Sequence, residues 1–216
     1  MVDNSPMSHE DGRHVAQDKK TLRRQLRTQR QSLAPHRDRS VDAEAIASAA
    51  GALLDTIAAS HSRAGEHPCD DEQPCVAIYR SLPTEPPTRA LAQMLHERNV
   101  TVIVPETLPD FDLEWHELLA DGTEGPRLGL DAIGAAHLIL TPALSVDRTG
   151  TRLGQGGGCY DRALARRRPG ARVVAILNDD ELAESPLPFD AHDVRVDAVI
   201  TAAGGYRQIP VAGSVT

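Results

Sequence analysis

A chain of 216 residues with 40% hydrophobic content can bury one substantial core and leaves little for a second full domain. Its formal net charge of −8 excludes general binding to nucleic acid, where affinity comes from Lys and Arg displacing counterions, so any anion site has to be local. An odd set of cysteines, Cys69, Cys75 and Cys159, with no apolar signal segment, argues against a disulfide framework and for a reducing, cytoplasmic setting.

Residues 1–17 show no periodicity and read as a disordered or extended tail. From Asp18 the pattern turns helical. Leu22, Leu26 and Leu33 form an apolar stripe with Lys20, Arg23, Arg24, Arg27 and Arg30 around it, and Pro35 ends the run. A second helix is expected over 37–59, where Ile46, Ala49, Ala50, Leu53 and Ile57 recur at helical spacing. Residues 60–74 are polar and carry Pro68 and Pro74, as a surface loop does.

Short apolar runs then alternate with helical ones. Strands are expected at 76–79, 100–104, 137–140, 173–177 and 198–201. Helices are expected at 88–98 and from within 157–161 to near Pro169. With aromatic content at 3%, the core has to come from Ala, Val, Leu and Ile, which suits helices on a β-branched sheet. The fold class is α/β: a single three-layer αβα domain over 18–206, with a mostly parallel central sheet of about five to seven strands. A C-terminal tail is expected at 207–216. No apolar run approaches the roughly 18 to 20 residues of a membrane span. Open sheets of this kind bind ligands at the carboxyl ends of their strands.

The chemistry concentrates in residues 147–162, DRTGTRLGQGGGCYDR, directly after the strand-like HLILTPALSV. Gly154, Gly156, Gly157 and Gly158 lie between a buried strand and a helix start. Such a segment can turn sharply and bring bare backbone N–H groups to a phosphate, with the helix N-terminus adding favourable charge. It is neither of two familiar phosphate loops. A Walker loop needs Gly-Lys-Ser/Thr where Gly158 is followed by Cys159 and Tyr160, and G-x-G-x-x-G needs glycine at 159. A glycine turn serving geometry alone stays open at this point.

The string from TPALSVDRTG through RLGQGGGCYDR resembles the signature of the 5-formyltetrahydrofolate cyclo-ligase family, also called methenyltetrahydrofolate synthetases. There a strand leads into Phe/Val-Asp-x-x-Gly and then Arg-Leu-Gly-x-Gly-x-Gly-Tyr-Tyr-Asp. Three further segments fall in the family's order. Lys19-x-x-Leu22-Arg23 with Arg27 and Arg30 is similar to its basic opening helix. Glu85-Pro86-Pro87-Thr88 and Val104-Pro105 resemble its Glu-x-x-Thr and Val-Pro segments, and His192 to Asp197 resembles its closing His-Asp-x-x-Val-Asp.

The resemblance implies an ATP-dependent ring closure on a reduced folate, with ATP and 5-formyltetrahydrofolate as small-molecule partners and Mg2+ as cofactor. It implies no nucleic acid, no membrane, and a monomer or weak homodimer. For ATP it implies Arg152, Leu153, Gly154, Gln155, Gly156, Gly157, Gly158, Cys159 and Tyr160, with Lys19, Lys20, Thr21, Leu22 and Arg23 from the opening helix. Arg152 and Lys19 are the implied catalytic cations. For folate it implies Arg80 and Glu85 with the backbone of Gln155 to Cys159, and for the metal Asp161 and Asp193.

Two features depart from the family pattern. Cys159 stands where the first of two aromatics is usual, and the stretch between Trp115 and Leu128 lacks a Gly-x-x-Glu-Pro element. They keep a second reading in view, a catalytically weakened folate- or nucleotide-binding regulatory homologue. The fold alone would also admit sugar-phosphate isomerases and CoA transferases. The spacing of His61, His67, Cys69 and Cys75 matches no common zinc pattern.

Overall fold

The computed structural model describes residues 9–63 and 74–210. Two long helices come first, α1 (His9–Leu33) and α2 (Arg39–Arg63). Strand β1 (Cys75–Ala77), helix α3 (Arg89–Glu97) and strand β2 (Thr101–Thr107) follow. Next come an antiparallel pair, β3 (Leu113–Leu118) and β4 (Glu124–Gly129), and a 3-10 turn (Leu130–Ala135). After β5 (Leu138–Pro142), a two-stranded ribbon of β6 (Ser145–Val146) and β7 (Arg152–Leu153) leads into α4 (Cys159–Leu164). Strands β8 (Arg172–Ile176), β9 (Ala198–Thr201) and β10 (Gly205–Gln208) close the domain.

The main sheet has the order β10-β9-β8-β5-β1-β2-β3-β4. Strands β9, β8, β5, β1 and β2 are mutually parallel, and they are the five expected from apolar runs. Strands buried on both faces carry no polar alternation, so such runs are their signature. Three antiparallel strands at the edges exceed the expectation. β10 pairs with β9, β3 with β2, and β4 with β3. β3 reads LEWHEL, with charged residues between Leu113, Trp115 and Leu118. Its one clear sequence cue is the Asp121-Gly122 turn that follows.

Helices α2 and α3 cover one face. Ile46, Ala50, Leu53, Leu91 and Leu95 pack there on Val76, Val102, Leu138, Val174 and Ile200. The other face is covered more thinly, by Ile133 of the 3-10 turn and Ala163 and Leu164 of α4 against Trp115, Ile139, Val173 and Val199. Every one of these side chains is within a few per cent of complete burial. No helix among the described residues is long and apolar enough to cross a membrane.

Four expectations are corrected. The first helix starts at His9 rather than Asp18, so residues 9–17 are helical; once a helix is nucleated, each added residue gains a hydrogen bond at little cost. Residues 1–8 lie outside the described part. The second helix runs on through Arg63, past the expected end at 59, and 64–73 fall outside the described residues. The last expected helix is a single turn and a half, ending at Leu164 rather than near Pro169. The expected C-terminal tail begins too early, since β10 extends to Gln208, and 211–216 lie outside the described residues.

The turn into β7 allows no side chain at Gly150. Its φ is +82°, and an added Cβ would sit 2.4 Å from the Val196 carbonyl oxygen, which in turn accepts no shift because Val196 N–H donates to Gly150 O at 2.9 Å. We expect Gly150→Ala to lose about 1–3 kcal/mol of stability from the strained backbone alone. Urea unfolding read by far-UV circular dichroism measures it, and an unchanged midpoint would contradict this account of the turn.

Candidate active site

A cleft of about 910 Å³ opens at the carboxyl ends of the parallel strands. It is lined by the glycine loop, by residues of α1, α4 and the 190–193 segment, and by Tyr79, Glu85, Pro105 and Pro142.

The glycine loop hangs from a rigid turn. Asp147 is 1% exposed, and its Oδ1 accepts from Thr149 N–H at 2.8 Å, the Thr149 hydroxyl at 2.8 Å and Thr151 N–H at 3.0 Å. Its Oδ2 accepts from Leu187 N–H at 2.9 Å. Burial alone would push this carboxyl up, but the N–H donors and the Thr149 hydroxyl outweigh it and hold the group below the usual carboxylate value. The chain then passes through β7 into residues 154–158, and Gly158, at φ +67°, caps α4 in a left-handed conformation that a side chain would strain.

Arginines hold the carbonyl side of this loop. Arg23 Nε donates to Gly154 O at 3.0 Å, Arg27 reaches the Gln155 carbonyl and, at 2.8 Å, its side-chain oxygen, and Arg162 Nη2 donates to Gly157 O at 2.8 Å. Among the described residues, no hydrogen-bond acceptor is bound by the N–H groups of 155–158. Tied carbonyls with unpaired amides form a backbone cradle of the kind that suits an anion.

Two cation–carboxylate pairs stand beside the cradle. Arg152 Nη2 lies 2.7 Å from Asp161 Oδ1, which also accepts from Val194 N–H at 3.1 Å. Lys19 Nζ pairs with Asp193 Oδ2, which also accepts from Asp190 N–H at 2.7 Å. Arg23 lies in the same field. Burial lowers its pKa, the Arg27 charge lowers it further, and Asp193 and Asp161 partly restore it. The two aspartates, 32 positions apart in sequence (193 − 161), thus face one cleft.

Helix α1 packs differently from the expectation. Among its described residues the buried ones are Lys19 and Arg30, while Leu22 and Leu26 are half-buried and Leu33 is exposed. Lys19, Arg23, Arg27 and Arg30 share one helical face, buried at Lys19 and Arg30, and half-buried Leu22 and Leu26 border it. Of the remaining implied nucleotide contacts, Lys20 is exposed and Thr21 and Leu22 are half-buried, and none of these three lines the cleft.

Elsewhere in the cleft lining Glu85 is 5% exposed, and its Oε2 accepts from Leu82 N–H at 2.9 Å. Arg80 sits at the rim, tied to Glu124 at 3.2 Å and to the Gly122 carbonyl at 3.0 Å. Tyr160 lines the floor beneath the Arg152 guanidinium, which is 5.7 Å from the ring centroid. Its buried hydroxyl has no hydrogen-bond partner among the described residues. Burial raises its pKa, with Arg152 opposing, so it offers a neutral donor. Cys159 also lines the cleft, as a free thiol.

Sequence reasoning missed Arg162, which clamps the Gly157 carbonyl and, at 2.7 Å, that of Phe111. Arg162 closes the quoted motif and could have been found there. The Phe111 turn, with φ +66°, carried no signal.

Residues 15–202 match the 5-formyltetrahydrofolate cyclo-ligase family. The chain belongs to that family. Membership makes it an enzyme of the cyclo-ligase kind. The chain is 34% identical over 145 residues to a 5-formyltetrahydrofolate cyclo-ligase of Mycolicibacterium smegmatis, covering 60% of this chain and 74% of the relative. Two solved structures share the fold. A 5,10-methenyltetrahydrofolate synthetase from Mycoplasma pneumoniae superposes with TM-score 0.65 at 20% identity, over 86% of this chain and 99% of that one. The Aquifex aeolicus 5,10-methenyltetrahydrofolate synthetase gives 0.62 at 22%, over 92% and 96%.

The Asp147 turn yields a pH prediction. A carboxyl held below its unfolded value contributes stability that is present above about pH 3.9 and is lost as pH falls through the folded value. Asp147→Asn should cost about 1–3 kcal/mol at neutral pH, because one oxygen becomes an amide donor facing donors. Its stability should also fall less steeply than the wild type's on acidification, as seen by urea titrations at both pH values. Parallel acid limbs for the two proteins would remove Asp147 from this role.

Proposed function

We propose that the protein converts 5-formyltetrahydrofolate and ATP into 5,10-methenyltetrahydrofolate, ADP and phosphate, acting in the cytoplasm as a monomer or weak homodimer. Family membership supports the folate chemistry. The observation that carries the nucleotide half is the cradle of unpaired amides at 155–158, flanked by Lys19, Arg23 and Arg152.

In this reading the loop amides hold the phosphates, and Lys19 and Arg152 neutralise charge as the γ-phosphoryl group passes to the formyl oxygen. ADP leaves with the broken P–O bond. N10 then attacks the activated formyl carbon and gives up its proton, and expulsion of phosphate leaves the methenyl bridge. Glu85 holds the pterin edge, and Arg80 lies on the rim where a folate tail would emerge. Tyr160 donates its buried hydroxyl within the floor. Holding the two substrates in line is most of the work, since loose phosphoryl transfer leaves little covalent chemistry to the protein.

The family relationship implies magnesium with the nucleotide, and the residues fit it. Asp161 and Asp193 offer hard oxygen donors, and one oxygen of each has no hydrogen-bond partner among the described residues. When bound, the ion supplies neutralisation of phosphate charge.

Purified protein mixed with Mg-ATP and 5-formyltetrahydrofolate should generate the methenyl product by absorbance, and none without ATP. Asp193→Ala, which removes both a metal donor and the partner of Lys19, should lower turnover by at least about tenfold. Product formed at equal rate without ATP would reject the phosphoryl-transfer route. Tight folate or nucleotide binding without turnover would instead establish the regulatory reading.

A further inference from the structure

The deepest charged group at the folate wall is Arg30, and the reaction gives it no direct part. It is 3% exposed, and its partner Glu181 is 4% exposed. Nε and Nη2 meet the two Glu181 oxygens at 2.6 and 2.7 Å, and Nη2 also donates to the Ala143 carbonyl. Glu181 is fixed in turn. Its carboxylate accepts from Asn178 N–H at 2.9 Å and the Asn178 amide at 2.8 Å, and its carbonyl accepts from the Ser145 hydroxyl at 2.6 Å. The guanidinium is therefore immobile.

Its third nitrogen is different. Arg30 Nη1 is buried without a hydrogen-bond partner among the described residues, and it faces Glu85 Oε1 across 3.9 Å. Glu85 is otherwise held by Leu82 N–H on Oε2 and, through its backbone carbonyl, by Arg39 Nη1 at 2.7 Å. One carboxylate oxygen is thus fixed by a hydrogen bond, and the other by a charge set rigidly behind it. In a buried site this field is much stronger than in water.

We propose that Arg30 is a positioning residue for folate: its guanidinium, locked by Glu181 and the Ala143 carbonyl, sets the place of the Glu85 carboxylate and of the Ala143 wall against which the pterin lies. This rests on the reading of Glu85 as a folate contact. The nucleotide side is held by other bonds, from Lys19, Arg23 and Arg27, so the effect falls on one substrate only.

The test is a KM split with a double-mutant cycle. Arg30→Met should raise the KM for 5-formyltetrahydrofolate by about tenfold or more, with the KM for Mg-ATP nearly unchanged. Arg30→Lys, which keeps the charge but loses the fork, should recover part of the loss. In the Glu85→Gln background, Arg30→Met should add little further, because the group it positions is already changed. Additive effects, or equal rises in both KM values, would overturn the proposal and make Arg30 a general structural residue. If Arg30→Met does not fold, Arg30→Lys and Glu181→Gln carry the same comparison, and unchanged folate KM in both sinks it. A wild-type protein without turnover rejects the proposed reaction instead, and the same variants are then read by direct calorimetric binding of 5-formyltetrahydrofolate and of ATP.

Discussion

A cation that a helix holds against the domain must find oxygen, and this requirement organises the site. Lys19, Arg23, Arg27 and Arg30 on α1 reach Asp193, the Gly154 carbonyl, Gln155 and Glu181. Each acceptor belongs to a segment that is distant in sequence and irregular in backbone. Removing a buried cation from its acceptor costs far more than either gains in water. The helix and those segments therefore stay together, and the loop's Gly154 and Gln155 carbonyls are held by α1.

Two of the cations beside the loop are paired, Arg152 with Asp161 and Lys19 with Asp193, while Arg23, Arg27 and Arg162 are engaged by the carbonyls and the side-chain oxygen of the loop. This local cluster of cations lies within a chain of net charge −8. In the proposed reaction, phosphate oxygens and a bound cation would take over the roles that each member of these pairs fills for the other.

The sequence made the central sheet legible because the five parallel strands are dry on both sides and show as unbroken apolar runs. The resemblance of residues 147–162 and 192–197 to the family's motifs picked out the glycine loop, Asp161 and Asp193, which all line one cleft. The edge strands were hidden because half of each faces water: β10 reads GYRQ and β4 reads EGPRLG. Helix α1 misled for a physical reason. Periodicity places Leu22, Leu26 and Leu33 on one stripe, but none of them joins either hydrophobic core cluster, and full burial followed the acceptors available to Lys19 and Arg30. Arg30 and Glu181 are 151 positions apart, and no local pattern announces such a pair.

Strand β4 carries a consequence for how molecules of this protein can meet. It forms the outer border of the sheet, with Pro126 in its middle and two register shifts against β3. Proline supplies no N–H to a neighbour, and the irregular pleat spoils alignment with a straight partner. An incoming extended chain would find an interrupted ladder there. Lateral stacking of sheets into larger aggregates is thus discouraged at that border by the backbone itself.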